Sequence, residues 1–120
     1  MKINVIIGGQ TFAATLEDNK TANVFLQMLP LTIKMDDVNS NEKYAVLPSV
    51  IKNETASKIG SIQAGDIMCY GEAGLVLFYE TFPTSYSYVP IGHIDDTEGL
   101  LEVIGSGDID VQFSGQINDN

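Results

Sequence analysis

Short strand-forming runs recur along almost the whole chain, and glycines and polar clusters cut them apart. In INVIIGGQTFAATL, residues 3 to 16, two such runs flank Gly8-Gly9. That dipeptide readily takes the positive φ angles a two-residue hairpin turn needs, so strands are predicted over 2–7 and 10–16. LTIKM places Leu31, Ile33 and Met35 on one face, and the polar turn DDVNSN separates it from EKYAVLP. IQAGDIMCYG and GLVLFYETF flank Gly71-Glu72-Ala73-Gly74, a further hairpin signal, and VPIGHI and DIDVQFS complete the set. Eight or so strands in 120 residues leave so many open edges that the sheet must close on itself or pack against a second one. The expected fold is mainly β, a closed antiparallel eight-stranded barrel, with a β-sandwich as the alternative.

Two segments break the period-two pattern. In EDNKTANVFLQMLP, Ala22, Phe25, Leu26 and Leu29 fall at helical spacing, with Asp18 or Thr21 as the cap and Pro30 as the stop. A second short helix is predicted from Asp95, where Leu100, Val103 and Ile104 form a stripe and Gly105 follows the last turn. The segment 49–61, SVIKNETASKIGS, is polar and weakly periodic, which suggests a surface excursion and a flexible lid. No linker, repeat or low-complexity tract divides the chain, so residues 1–120 are expected to form one domain.

Charge narrows the range of partners. Six lysines and no arginine face sixteen acidic residues, for a formal charge of −10. Such a field disfavours nucleic acid, and without arginine the usual bidentate clamp for phosphate is missing. Gly8-Gly9 and the Gly105-Ser106-Gly107 run lack the lysine or glycine fingerprint of a phosphate cradle, so no nucleotide cofactor is expected, nor any other cofactor. MKINVII does not read as a signal peptide, and no apolar run reaches membrane-spanning length, which points to a cytoplasmic protein without a membrane partner. The single Cys69 lies within IMCY and reads as a buried structural thiol.

Against this background several short stretches become recognisable: Asn41-Glu42-Lys43-Tyr44, Ala64-Gly65-Asp66-Ile67, Tyr70-Gly71, Leu77-Phe78-Tyr79, and Ile91-Gly92-His93-Ile94 running toward a helix. Together they resemble the cyclophilin fold, and more closely the small bacterial and archaeal cyclophilin-like proteins of uncharacterised function. The resemblance spans nearly the whole chain and implies a barrel with two helices. Cyclophilins proper isomerise the peptide bond before proline, with a signature that combines an arginine with a Phe-Met-x-Gln-Gly-Gly-Asp run. Neither element is present here. Rotation of that bond faces a barrier of about 18–20 kcal/mol, and lowering it needs a well-placed donor, so ordinary prolyl isomerase activity is not expected.

Few side chains invite chemistry. His93, the only histidine in the chain, is a candidate acid or base; alternation with Ile91 makes it a partly buried strand residue if Ile91 points inward. Asp95 and Asp96 are expected to cap the second helix. One histidine and one cysteine are too few for a zinc site, and no metal is expected. Asp66 reads as a turn residue. Glu42, Tyr44, Tyr86 and Tyr88 flank strand ends, and with His93 they could line a ligand cleft. The leading expectation is a binding module for a peptide or a neutral or cationic small molecule. The alternatives are an atypical isomerase or hydrolase using Glu42 and His93, and a scaffold that offers a strand edge; the oligomeric state stays open.

Overall fold

The computed structural model describes residues 1–116. The elements run β1 (Lys2–Ile7), β2 (Gln10–Leu16), α1 (Lys20–Gln27), β3 (Leu31–Val38), β4 (Glu42–Val46), β5 (Ser57–Lys58), β6 (Ser61–Ile62), β7 (Asp66–Tyr70), β8 (Gly74–Phe78), β9 (Phe82–Pro83), β10 (Ser87–Ile94), α2 (Leu100–Ile104) and β11 (Ile109–Gly115). Hydrogen bonding follows the order β2-β1-β11-β3-β4-β8-β7-β10, and β10 returns to β2. The return pairing sets Gly92 opposite Leu16 and Ile94 opposite Ala14, which closes an eight-stranded antiparallel barrel. Closure leaves these strands no free edge. The strand β5 adds to β10, and β6 pairs with β9 outside the barrel. Each of these extra strands has only two residues, too few to show a period in the sequence.

Alternation builds the core. Ile3, Val5 and Ile7 of β1, Phe12, Ala14 and Leu16 of β2, and Val111 and Phe113 of β11 all point inward and are buried. Phe25 of α1 packs edge-on against Phe113, with ring centroids 5.4 Å apart. Each such side chain, fully removed from water, stabilises the fold by about 1.5–3 kcal/mol before its ordering cost. The strand β8 is buried at all five positions, because both of its faces are covered. Leu75 and Leu77 face the barrel interior. Val76 and Phe78 face outward, into a second cluster with Ile62, Met68 and Tyr88. A continuous apolar run is what a strand buried on both faces requires.

Several local expectations are corrected. The cap of α1 is Asn19, neither Asp18 nor Thr21: its Oδ1 accepts from the Ala22 N–H at 2.7 Å, while its side-chain amide donates to the Pro90 carbonyl. Thr21 is instead fully buried, and its hydroxyl accepts from the Asn53 N–H. Asp36, Asp37 and Val38 belong to β3, so the turn shrinks to Asn39-Ser40-Asn41, with positive φ at Asn39 and Ser40. The helix α2 begins only at Leu100, behind Gly99, and neither Asp95 nor Asp96 caps it. The 49–61 segment is tethered to the barrel at both of its ends. Ile51 is buried, the Ile51 and Lys52 N–H groups donate to the Glu72 carbonyl, and Ser57–Lys58 pairs with β10.

The position of His93 follows from one extra residue. Pairing of β10 with β7 runs Val89 to Cys69 and Pro90 to Met68, then skips to Gly92 opposite Ile67 and His93 opposite Asp66. Ile91 is a β-bulge, and a bulge shifts the inward-outward phase. Val89, Ile91 and Ile94 therefore all reach the core, while His93 turns outward. Plain alternation had placed His93 on the side of Ile91 as a partly buried residue; the bulge overturns that.

Candidate functional site

The sequence Glu42-Lys43-Tyr44 on β4 sends alternate side chains to opposite sides of the barrel wall. Glu42 and Tyr44 face outward. Their cross-strand partners on β8 are Phe78 and Val76, and the next outward position pairs Val46 with Gly74. Gly74 also faces Tyr70 of β7. A Cβ at Gly74 would come 2.5 Å from the Tyr70 carbonyl oxygen and 2.9 Å from Tyr44 Cε1. The bare glycine is thus what lets the Tyr44 ring lie against β8.

Further across the same outer surface, Tyr88 and Tyr70 stand with ring centroids 5.6 Å apart, and Tyr70 and Tyr86 at 6.3 Å. Phe78 meets Tyr88 edge-on beneath them. These side chains bound a cleft of about 310 Å³. Glu42, Tyr44, Tyr86 and Tyr88, the group singled out from the sequence, all line it, together with Tyr70 and, from the β3 side, Val38 and Asn39. Four of the five tyrosines in the chain therefore converge on one opening. Tyr70 was missed because it closes the apolar run IMCY, where it reads as core; only the outward phase of β7 sets it beside Tyr88.

Glu42 is the one carboxylate in the lining. Burial raises its pKa above the usual carboxylate value, and the negative charge of Asp37 adds to the effect. Among the described residues no salt bridge reaches it. Burial also raises the pKa of the Tyr88 hydroxyl, with the Glu42 charge the next largest cause.

Lys43, between these two outward residues, is fully buried inside the barrel end. Its Nζ donates to Asp37 Oδ1 at 3.0 Å, to the Gly105 carbonyl at 3.0 Å and to the Gly107 carbonyl at 2.6 Å, which uses all three of its protons. The Tyr79 ring centroid lies 5.4 Å from the same nitrogen, and the Tyr79 hydroxyl donates to Asp37 Oδ1. That hydroxyl bond is the main cause that lowers the Asp37 pKa, with Lys43 assisting. Burial, then the bond to Asp37, raises the Tyr79 pKa strongly. Every charge in this knot has a partner, so it is a structural tie between β3, β4 and the segment after α2.

His93 stands apart from the cleft. It lies five residues along β10 from Tyr88, roughly 16 Å at the rise of a strand. Its Nε2 is 3.7 Å from Asp95 Oδ1. Asp95 in turn accepts from the Thr15 hydroxyl at 2.6 Å and from Lys2 Nζ. Asp96 Oδ1 accepts from the Glu98 N–H in a local turn. The structure therefore does not bring Glu42 and His93 together, and Glu42 alone of the two lines the cleft. Asp66 bonds the Gln63 N–H as a turn residue should. Cys69 is buried with its thiol pKa pushed up to about 11, against any nucleophilic use. Among the described residues, no three His, Cys, Asp or Glu side chains cluster closely enough to hold a metal ion, and no helix is long and apolar enough to cross a membrane.

No curated protein matches the chain significantly. Among solved structures, the solution structure of a hypothetical protein from Archaeoglobus fulgidus superimposes with a TM-score of 0.67, over 97% of this chain and 95% of that one, at 15% identity. At that identity the likeness speaks for the fold alone. The sequence model of the cyclophilin-like family matches residues 5–114, nearly the whole barrel. With the closed eight-stranded barrel and its two short helices in the same arrangement, the chain belongs to the cyclophilin-like family.

Proposed function

We propose that this protein is a binding module, and that its ligand is a small molecule or a short peptide segment seated in the outer cleft. The observation that carries this reading is the convergence of Tyr44, Tyr70, Tyr86 and Tyr88 with Glu42 around one opening of about 310 Å³. Tyrosine offers a large apolar ring at a low ordering cost and a hydroxyl to orient a ligand. Tyr70 and Tyr86 remain 46% and 61% exposed, although aromatic rings of this size gain from being covered. A ligand resting on them would bury that surface.

Ordinary prolyl isomerase activity is not part of the proposal, because the chain has no arginine and its one fully buried lysine is committed to Asp37 and two carbonyls. An acid-base enzyme is the second reading. It keeps Glu42 as the candidate group, since burial moves its pKa toward neutrality, and it must do without His93.

A library of small neutral and cationic fragments, with several proline-containing dipeptides, tests this when the tyrosine ring resonances are followed by NMR. Binding is expected to shift Tyr44, Tyr70, Tyr86 and Tyr88 and to leave Tyr79, which faces the interior, unmoved. A screen in which hits cluster elsewhere, or in which no fragment moves these rings, rejects the cleft as the site. Catalysis of prolyl isomerisation at cyclophilin-like rates would reject the non-isomerase part.

A further inference from the structure

The cleft contains a half-buried carboxylate that the protein leaves without a counter-charge. Among the described residues no cation is paired with Glu42: Lys2 is engaged by Asp95, Lys34 by Asp108, and Lys43 is sealed on the other side of the same strand. Lys20, Lys52 and Lys58 do not line the cleft. An anionic ligand would meet Glu42 and a chain of charge −10. A wholly neutral ligand would bury the carboxylate further without satisfying it, which costs free energy. A small hard metal cation wants several oxygen ligands at short range, and Glu42 is the only carboxylate in the lining.

An organic cation whose charge is spread over alkyl groups meets both parts of the surface. Its alkyl groups can lie on the ring faces of Tyr44, Tyr70, Tyr86 and Tyr88, where the π-electron quadrupole attracts positive charge, and its charge can sit beside Glu42. A quaternary ammonium is weakly hydrated and gives up little on entering such a site. Resting on the reading of the cleft as a ligand site, we infer that it takes an alkylated ammonium headgroup, held by cation–π contact with the tyrosines and by the Glu42 carboxylate. Free small molecules and a methylated lysine side chain carry the same headgroup.

The test compares choline with its uncharged isostere 3,3-dimethylbutan-1-ol, each titrated into the full chain while the tyrosine rings are followed by NMR. Choline is expected to bind at least about tenfold more tightly than the alcohol. Glu42→Gln should reduce that preference, leaving only the part the rings supply, and Tyr86→Ala, at a largely exposed ring, should weaken choline without disturbing the fold. A trimethyllysine tripeptide forms the second arm. Tighter binding than choline assigns the headgroup to a protein partner, and equal or weaker binding assigns it to a free metabolite. Equal affinity for choline and the alcohol, or a choline preference unchanged in Glu42→Gln, overturns the inference while leaving the cleft itself as a ligand site. Failure of both probes to move the rings also overturns it, and the broader fragment screen then decides the cleft separately.

Discussion

The two faces of β4 handle charge in opposite ways. Inside, Lys43 is fully buried and every proton on its Nζ has an acceptor. Outside, one residue away in each direction, Glu42 and Tyr44 border an open cleft, and among the described residues the carboxylate has no cation of its own. A charge with all its partners inside the protein serves the fold. A charge left without one, at a concave and aromatic surface, is available to something else. The same strand carries both, because its side chains alternate and the environments on the two sides differ.

The sharpest way to break this contrast is to remove the inner charge. Lys43→Met leaves Asp37 without its cation, though still bonded by Tyr79, and leaves the Gly105 and Gly107 carbonyls without their donor, and is expected to cost about 3 kcal/mol in urea unfolding. A cost below about 1 kcal/mol, the range of an exposed pair, would show that the knot is not the structural tie described here. Gly74→Ala acts on the outer face. Its new Cβ would press on the Tyr70 carbonyl and the Tyr44 ring, so a loss of about 1–3 kcal/mol is expected together with a displaced Tyr44 resonance. Retention of both stability and the Tyr44 shift would mean that the ring does not depend on the missing side chain.

Acid titration separates the two carboxylates by sign. Asp37 has a folded pKa below its reference of 3.8, so its contribution to stability is full above that value and is lost as the pH falls through the lowered pKa. Glu42 has a folded pKa above its reference of 4.5, so its charged form opposes folding at neutral pH, and that penalty fades as the pH falls through the raised pKa toward 4.5. Glu42→Gln should therefore raise stability slightly at pH 7, by under about 1 kcal/mol, and the gain should vanish near pH 4. A variant less stable than the parent at pH 7 would reveal a partner for Glu42 within the chain. The smallest effect is expected at His93, where His93→Ala should change stability by no more than about 0.5 kcal/mol and leave the tyrosine rings unmoved, since its contact with Asp95 is solvent-exposed. A shift of the cleft rings in that variant would tie the two sites together.

Much of this molecule can be read from its sequence, for reasons that are local. The Gly8-Gly9 turn, the period-two runs and the helical spacing of Ala22, Phe25 and Leu26 each depend on neighbouring residues and turn chemistry, and each appears where it was expected. Glu42, Tyr44, Tyr86 and Tyr88 could be picked out as a group on predicted strand ends, yet Tyr44 lies at the middle of β4, and what unites them is the outward phase of their strands. The errors are of two kinds. The bulge at Ile91 reversed His93, a side-chain amide at Asn19 displaced both expected caps, and contacts with Glu72, Thr21 and β10 tied down a segment that looked free. The bulge and the tether depend on residues distant in the chain, of which one sequence carries no mark, whereas the Asn19 cap is a local bond to the Ala22 N–H, reinforced by a distant one to the Pro90 carbonyl.

What the sequence determined by itself is the number of strands that must close, the absence of arginine and the excess of negative charge, because these follow from composition and local periodicity. Which side of each strand meets a partner was decided only by the tertiary structure. The register of the barrel sets Lys43 against Asp37, Gly105 and Gly107, and sets Glu42 among tyrosines from its own strand, from β7 and from around the start of β10. Desolvation and hydrogen-bond satisfaction depend on that three-dimensional surrounding, and they make one charge a tie within the fold and set its neighbour in the lining of an open aromatic cleft.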